Sequence, residues 1–170
     1  PQYLAEAAWP DAGIGAVSAD VNGDGCDESI ALYNDLATHF CRLAVGNMGD
    51  QAGRLTSAPA VGLFYDGVTA TLLAATRGYD GGLWVNRYTD VPLEENWVPL
   101  GGNPTSAPAV AGGVDAAEVF YLDAGGDLYS IDVLADPPLA QSIGRPPDTT
   151  LSLDPAAARW GTRTDVFVRG

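Results

Sequence analysis

Short runs in which apolar and polar side chains alternate are separated by turns rich in glycine and aspartate along most of the chain. Leu83–Tyr88 alternates as a half-buried strand does, and the preceding Arg77–Gly82 contains glycines suited to a turn with positive φ. No helical period separates these runs, so the pattern predicts an all-β fold of short antiparallel strands. The predicted strands are Ala16–Ala19, Ser29–Tyr33, His39–Val45, Val61–Phe64, Thr69–Thr76, Leu83–Tyr88, Trp97–Leu100, Glu118–Leu122, Leu128–Val133, Leu151–Ala158 and Thr164–Arg169.

A six-residue motif, Thr-Ser-Ala-Pro-Ala-Val, occupies residues 56–61 and recurs at residues 105–110, a spacing of 49 residues. A degraded copy, Leu153–Ala157, follows the second one at a spacing of 47 residues. Self-similarity at this period, with several short strands and an Asp/Gly turn in each repeat, is typical of β-propeller blades. We therefore predict a β-propeller of four-stranded antiparallel blades, each about 45–49 residues long.

The repeats divide residues 1–170 into about four blade-equivalents of one domain. The expected blades are 12–53, 54–102, 103–148 and a last one formed by 149–170 together with 1–11. In that last blade, residues 2–9 supply the outer strand, so the N-terminus closes the ring and removes an exposed sheet edge. The alternatives are a fragment of a longer propeller, an oligomeric ring of partial propellers and a compact four-bladed ring.

The net charge of the chain limits the classes of molecule that it is expected to bind. The chain has 22 acidic and 8 basic residues, and its formal net charge is −14. A surface this negative repels phosphate backbones, so we expect no nucleic-acid partner. No apolar run is long enough to cross a membrane. The excess of carboxylates indicates either solubility alone or the binding of cations.

Two cysteines, Cys26 and Cys41, lie on either side of a predicted turn at 34–35 and nearly equidistant from its centre. Antiparallel pairing of the flanking strands brings them close enough for a disulfide, and the alternative is two free buried thiols. A disulfide indicates an oxidising compartment. We therefore expect a secreted, extracellular protein. Pro1 is not an initiator methionine, so we also expect a processed or partial chain.

The segment Asp20–Glu28 has the ligand spacing of a cation-binding loop. Oxygen ligands occupy alternate positions, and Gly25 allows the chain to fold around an ion. No histidine or thiolate cluster suits zinc, so Ca²⁺ is the predicted ion, and the alternative is a polar turn without an ion. The predicted ligands are the side chains of Asp20, Asn22, Asp24 and Glu28 and the carbonyl group of Cys26, with Asp27 as a replacement for Glu28.

An EF-hand would have a glutamate at the twelfth position of this loop, where the chain has Ala31, and helices on both sides. With strands on both sides, the loop resembles the calcium loop of FG-GAP/VCBS-type repeats, as in integrin α-subunit propellers. The resemblance implies a structural ion between two strands of a blade. Asp66-Gly67 and Gly113–Asp115 stand in place of the loop in the next two blades, so one ion is expected.

A second resemblance covers roughly residues 54–170. The segments Leu55–Val61, Arg77–Trp84 and Trp97–Gly102 are similar to one blade of the PLL-type bacterial lectins, and Asp154–Trp160 with Asp165–Gly170 looks like another copy. The resemblance implies a propeller of the kind that, in these lectins, has seven blades and binds fucose and related sugars between blades.

In a sugar site of this kind, an aromatic ring contacts the apolar face of the sugar and charged groups bind its hydroxyls. In the third repeat Asp123–Gly125 stands where the second has Arg77–Tyr79, and Tyr129 replaces Trp84, so only the second and last blades keep both groups. The alternatives are packing between blades for the tryptophans and ion pairing for the arginines. The candidate ligand-binding residues are Arg77, Asp80, Trp84, Tyr88, Trp160 and Arg169.

No group of residues marks a catalytic site, so we expect no enzymatic activity. His39 is the only histidine, and the sequence marks no nucleophile or acid to act with it. The sequence predicts a secreted, calcium-stabilised module that binds carbohydrate, with a fucose-like or methylated sugar as ligand. The second hypothesis is a structural or adhesive protein with a protein partner. The third is part of a glycan-active enzyme, since the carboxylates of a glycosidase have no fixed sequence spacing.

Overall fold

The computed structural model describes residues 15–19, 28–33, 36–39, 44–47, 56–65, 70–78, 80–88 and 97–170. Side chains are described only from residue 56 onwards, and not for Ala70 or Tyr88. These residues form β-strands and turns without a helix, which confirms the predicted all-β class. Within them, no helix is long and apolar enough to cross a membrane. The strand predicted at residues 2–9 lies outside the described residues.

Within the described ranges the strands form four sheets, called units 1 to 4 in chain order. Unit 1 contains β1 (Gly15–Ala19), β2 (Glu28–Tyr33), β3 (Leu36–His39) and β4 (Ala44–Asn47). Unit 2 contains β5 (Ala60–Tyr65), β6 (Ala70–Arg77), β7 (Leu83–Tyr88) and β8 (Val98–Gly101). Unit 3 contains β9 (Ala109–Gly113), β10 (Ala116–Leu122), β11 (Leu128–Asp132) and β12 (Ala140–Gly144). Unit 4 contains β13 (Ser152–Trp160) and β14 (Arg163–Arg169).

Within each unit the strands follow one another across the sheet in chain order, and neighbours are antiparallel. The predicted strands of units 2 to 4 are confirmed, with small differences at their ends. In unit 1 the single strand predicted at 39–45 is wrong, because β3 ends at His39 and β4 begins at Ala44, and these two strands pair with each other. The sequence between them has no glycine or proline to mark the break.

The first strands of consecutive units lie side by side: β1 contacts β5, β5 contacts β9, and β9 contacts β13. The approach of β5 to β9 requires a glycine, because a Cβ on Gly112 would lie 1.9 Å from the carbonyl oxygen of Leu63. At the end of β5, Tyr65 forms a parallel bridge with Val114. This arrangement turns a face of each of units 2 and 3 towards the next unit.

Apolar side chains fill the space between these faces. Leu73, Leu83 and Val85 of unit 2 pack with Val119, Tyr121 and Ile131 of unit 3, and all six are buried. The opposite face of unit 3 packs against unit 4 through Ala109, Ala111, Phe120, Leu122 and Leu128, with Ala157 and Val166 against them. Units 2, 3 and 4 are therefore held together mainly by burial of apolar surface.

The repeated Thr-Ser-Ala-Pro motif joins the start of the first strand to the end of the second. In unit 2, the N–H of Thr56 donates to the Arg77 carbonyl at 3.0 Å and its hydroxyl to the Gly78 carbonyl at 2.9 Å, and Ser57 Oγ accepts the Arg77 N–H at 3.1 Å. The serine is 9% exposed. Its hydroxyl therefore supplies the hydrogen-bond partner that the partly buried Arg77 N–H needs.

In unit 3 the motif makes the same bonds. The N–H of Thr105 donates to the Leu122 carbonyl at 2.8 Å and its hydroxyl to the Asp123 carbonyl at 2.9 Å, and Ser106 Oγ accepts the Leu122 N–H at 2.9 Å. Leu122 therefore takes the place of Arg77, and the predicted match of Asp123 with Arg77 is wrong by one residue.

Unit 4 keeps the proline of the motif but not its serine. Ser152 stands three residues before Pro155, as Thr56 does before Pro59, and Ser152 pairs with Arg169 in the β13–β14 ladder. Arg169 is therefore the unit 4 residue that corresponds to Arg77.

Replacement of Ser106 by alanine should leave the buried Leu122 N–H without its acceptor. We expect Ser106→Ala to lower the free energy of unfolding by about 1–3 kcal/mol, measured by urea denaturation. Ser142→Ala, at an exposed position of β12, is the matched control and should change it by less than about 0.5 kcal/mol. Equal effects of the two substitutions would contradict the role given to the motif.

Candidate functional site

Two of the sugar-binding residues predicted in unit 2 lie on opposite faces of its sheet. Arg77 pairs with Leu83 across β6 and β7, whereas Thr76 pairs with Trp84. Directly paired residues share a face and successive residues alternate. Arg77 therefore faces unit 3 together with Leu83, and Trp84 faces away from unit 3.

The guanidinium group of Arg77 joins the motifs of units 2 and 3. Its Nε donates to Thr56 Oγ1 at 3.0 Å and its Nη2 to the Thr56 carbonyl at 2.6 Å. Its Nη1 donates to the carbonyl oxygen of Thr105, in the next unit, at 2.8 Å. Three of its five N–H donors are thus used within the chain.

Asp80 and Trp84 are brought together in the glycine-rich turn. Trp84 Nε1–H donates to the two carboxylate oxygens of Asp80 at 3.0 and 3.2 Å, and the Gly82 N–H donates to the same group at 2.9 Å. The indole lies over Gly78, where a Cβ would come within 2.6 Å of it. The hydrogen bond from Trp84, followed by that from Gly82, lowers the pKa of Asp80 below its ordinary 3.8.

The remaining predicted ligand residues do not form one site. Tyr88 ends β7 opposite Leu72, and its side chain lies outside the described residues. Trp160 and Arg169 are at opposite ends of the β13–β14 sheet, since Trp160 pairs with Arg163 and Arg169 with Ser152. Six residues of strand separate Arg163 from Arg169, which is about 20 Å at the usual rise.

Most of the predicted calcium loop, and both cysteines of the predicted disulfide, lie outside the described residues. The residues concerned are Asp20, Asn22, Asp24, Cys26, Asp27 and Cys41. The structure does describe both ends of the loop: Ala19, the last residue of β1, pairs with Glu28, the first residue of β2. The loop therefore connects two paired strands. Among the side chains that are described, no three His, Cys, Asp or Glu lie close enough together to hold a metal ion.

The structure shows a small polar cleft between units 3 and 4 that the sequence did not indicate. Its volume is about 120 Å³. Asp154 Oδ1 lies at its wall and accepts the Ala107 N–H at 2.6 Å, and Asp123 Oδ1 accepts the N–H groups of Gly125 and Asp127, each at 2.9 Å. The lining residues are Thr105, Ser106, Leu122, Asp123, Leu151, Ser152, Leu153 and Asp154.

The corresponding place between units 2 and 3 is filled by an arginine. There the Arg77 guanidinium extends from the end of the second strand to Thr56 and Thr105. At the interface of units 3 and 4, Leu122 stands at that position and leaves the cleft open. The only sequence signal for this cleft was the degraded motif of unit 4, in which Leu153 and Asp154 stand where unit 3 has Ser106 and Ala107.

A larger groove of about 420 Å³ lies between the outer strands of unit 2 and the segment after β11. Val85, Val98, Leu100 and Val133 make most of its wall apolar. Arg87, also in the wall, donates a hydrogen bond to the Val133 carbonyl. The groove has fewer groups that bind hydroxyls than the cleft between units 3 and 4.

His39 ends β3, and its side chain is not among those described.

Comparison with protein-family models and with curated protein sequences finds no match to this chain.

The contact between Trp84 and Asp80 predicts a measurable change of pKa. Trp84→Phe keeps an aromatic ring but removes the indole N–H, so the pKa of Asp80 should rise towards 3.8. The pKa can be measured by following the carboxyl carbon in an NMR titration. Trp160→Phe is the matched control, because Trp160 is 88% exposed.

The direction in which the stability of the fold changes with pH follows from the same contact between Trp84 and Asp80. Because the pKa of Asp80 is lower in the folded chain, the ionised carboxylate stabilises the fold above pH 3.8. This stabilisation is lost as the pH falls through the folded pKa. An Asp80 pKa that is the same in the wild type and in Trp84→Phe would show that the indole does not bind the carboxylate.

Proposed function

We propose that the chain is part of a secreted β-propeller that binds a neutral, hydroxyl-rich ligand, most simply a sugar residue of a glycan. In this proposal each unit is one blade, and the first strands of the units surround a common axis. The contacts of β1 with β5, of β5 with β9 and of β9 with β13 support such an arrangement, as does the face-to-face packing of units 2, 3 and 4.

The observation that carries the proposed ligand class is the cleft between units 3 and 4. Its wall combines hydroxyl groups with the carboxylates of Asp123 and Asp154. Carboxylates form strong hydrogen bonds with hydroxyl donors, and serine and threonine both donate and accept. The net charge of −14 disfavours an anionic ligand. No aromatic residue is among the described residues that line this cleft, so the resemblance to PLL-type lectins supports a sugar only as the general class of ligand, and the polar wall supports this site.

We also propose that Ca²⁺ stabilises unit 1. The predicted loop connects the paired residues Ala19 and Glu28, whereas the connections after β5 and β9 are only four and two residues long. The extra length and the alternate oxygen ligands fit a bound ion in unit 1.

Asp154 provides the sharpest test of the ligand site. Asp154→Asn keeps an oxygen for the Ala107 N–H but removes the charge that binds a hydroxyl. We expect wild-type protein to bind neutral glycans on an array, fucosylated and O-methylated sugars included. We expect Asp154→Asn to weaken this binding about tenfold, which equals about 1.4 kcal/mol.

Asp148→Asn is the matched control, because Asp148 is exposed outside the cleft and its positive φ of 59° is one that asparagine tolerates. It should leave binding unchanged. Ser152→Arg, at an exposed position of the cleft wall, should fill the cleft and abolish binding without unfolding the chain. Blank arrays, or equal binding by wild type, Asp154→Asn and Ser152→Arg, would contradict the proposed site.

Calcium binding predicts a shift in thermal stability. A ligand that binds only the folded chain raises its melting temperature, here by about 5–10 °C at a calcium concentration about 100 times the Kd. Asp24→Asn should remove the shift, and Asp66→Asn, in the connection of unit 2, should retain it. Equal melting temperatures in calcium and in chelator would contradict the proposal that Ca²⁺ stabilises unit 1.

A second candidate function, adhesion to a protein surface, is favoured by the exposed apolar face of β13 and β14. Phe167 on this face is 64% exposed and Trp160 is 88% exposed.

A further inference from the structure

The interface between units 2 and 3 shows how the motif binds a guanidinium group. The guanidinium of Arg77 donates to Thr56 Oγ1 at 3.0 Å, to the Thr56 carbonyl at 2.6 Å and to the Thr105 carbonyl at 2.8 Å. Each acceptor belongs to the first residue of a motif, two on the unit that carries the arginine and one on the unit that follows it. The two motifs therefore form a guanidinium site that the chain fills itself.

The interface between units 3 and 4 repeats this site without the arginine. Leu122 ends the second strand of unit 3, where unit 2 has Arg77. Thr105 is the first motif residue of unit 3, Ser152 stands at the same position of unit 4, and both line the cleft. Thr56 Oγ1 accepts a hydrogen bond from Arg77, whereas Thr105 Oγ1 accepts none among the described residues. The cleft thus has the acceptors of a guanidinium group and lacks the donor.

Two carboxylates make this cleft more negative than its counterpart between units 2 and 3. Asp154 and Asp123 stand where units 3 and 2 have Ala107 and Gly78. Each carboxylate uses its Oδ1 atom for backbone N–H groups, and neither Oδ2 atom accepts a hydrogen bond within the described part of the chain. The described residues of the wall include no arginine, lysine or histidine. The Oδ2 atoms are therefore free to bind a cation.

The size of the cleft fits a guanidinium group. Its volume of about 120 Å³ equals that of about four water molecules at about 30 Å³ each. The guanidinium group has four non-hydrogen atoms in one plane, and its N–H donors point in several directions. An ammonium group is a point charge and reaches fewer acceptors that lie on two different units. The formal net charge of −14 attracts a cation of either kind.

We propose that the cleft between units 3 and 4 binds a guanidinium group from outside the chain, carried by an arginine side chain of a protein or by a small guanidino compound. The group takes the place that the Arg77 guanidinium has between units 2 and 3. It donates to Thr105 Oγ1 and to the carboxylates of Asp123 and Asp154. The inference goes beyond the proposed function, because it adds a cationic ligand and does not depend on sugar binding.

Titration of the full chain with three short peptides tests this proposal. The peptides are acetyl-Gly-Arg-Gly-amide and its counterparts with citrulline and with lysine in place of arginine, followed by NMR at the backbone amides of Ala107 and Leu122. Citrulline has the shape of arginine but no charge, so its peptide should bind about tenfold more weakly than the arginine peptide. The lysine peptide should bind about threefold more weakly. No binding of the arginine peptide, or equal binding of the citrulline or lysine peptide, would overturn the proposal.

Ethylguanidinium distinguishes the two sources of the group. If the arginine peptide binds at least about tenfold more tightly than ethylguanidinium, the peptide backbone contributes and the source is a protein. Equal affinities would assign the cleft to small guanidino compounds, and both results support a guanidinium site.

Substitution of each carboxylate tests where the group binds. Asp154→Asn and Asp123→Asn keep an oxygen for the backbone N–H groups but remove the charge, so each should weaken binding of the arginine peptide about tenfold. Asp115→Asn is the matched control, because it makes the same change of charge at the β9–β10 turn, where Asp115 is exposed and its φ of 52° is tolerated by asparagine. It should leave binding unchanged.

Unchanged affinity in both cleft variants, with circular dichroism showing that they are folded, would overturn the proposal. An equal loss of affinity in Asp115→Asn would also overturn it, because only the net charge would then matter. Failure of the sugar proposal is a separate result: blank glycan arrays together with binding of the arginine peptide would contradict the sugar and support the guanidinium site.

Discussion

The last backbone groups of a strand need hydrogen-bond partners when the strand ends inside a protein, because a buried N–H without one is costly. In units 2 and 3 the second strand ends at Arg77 and Leu122, next to the following unit. A serine hydroxyl accepts each of these N–H groups, and a threonine binds the carbonyl of the same residue. The repeated motif is therefore a hydrogen-bonding device as well as a repeat marker.

This device places the end of each second strand at the interface between units. The residue at the end of this strand then determines whether the interface is bridged by a side chain or contains a cleft. Arg77 bridges the motifs of units 2 and 3, whereas Leu122 leaves a cleft between units 3 and 4 that Asp154 and Asp123 line. The same position of the repeat thus holds two units together at the interface of units 2 and 3, and leaves room for a ligand at the interface of units 3 and 4.

The strands could be predicted from the sequence because alternation and Asp/Gly turns are local signals. Leu83–Tyr88 was predicted with the bounds that the structure shows. The break between His39 and Ala44 was missed, since an uninterrupted run without glycine or proline has no local signal for it.

The candidate site was harder to predict because it depends on register. Arg77 and Trp84 are close in sequence, but the turn between them pairs Arg77 with Leu83 and so places the two side chains on opposite faces. The cleft depends on Leu122 and Asp154, which belong to different units and meet only when the sheets pack. Predictions on residues 20–27 rest on ligand spacing alone.

The central claim is that the serine hydroxyls of the motif hold the ends of the second strands. Hydrogen exchange of the backbone amides of Arg77 and Leu122 tests it most directly, since exchange rates report the opening of individual hydrogen bonds. The account predicts that both amides exchange as slowly as those in the middle of β6 and β10. Exchange at the rate of unprotected amides would contradict it.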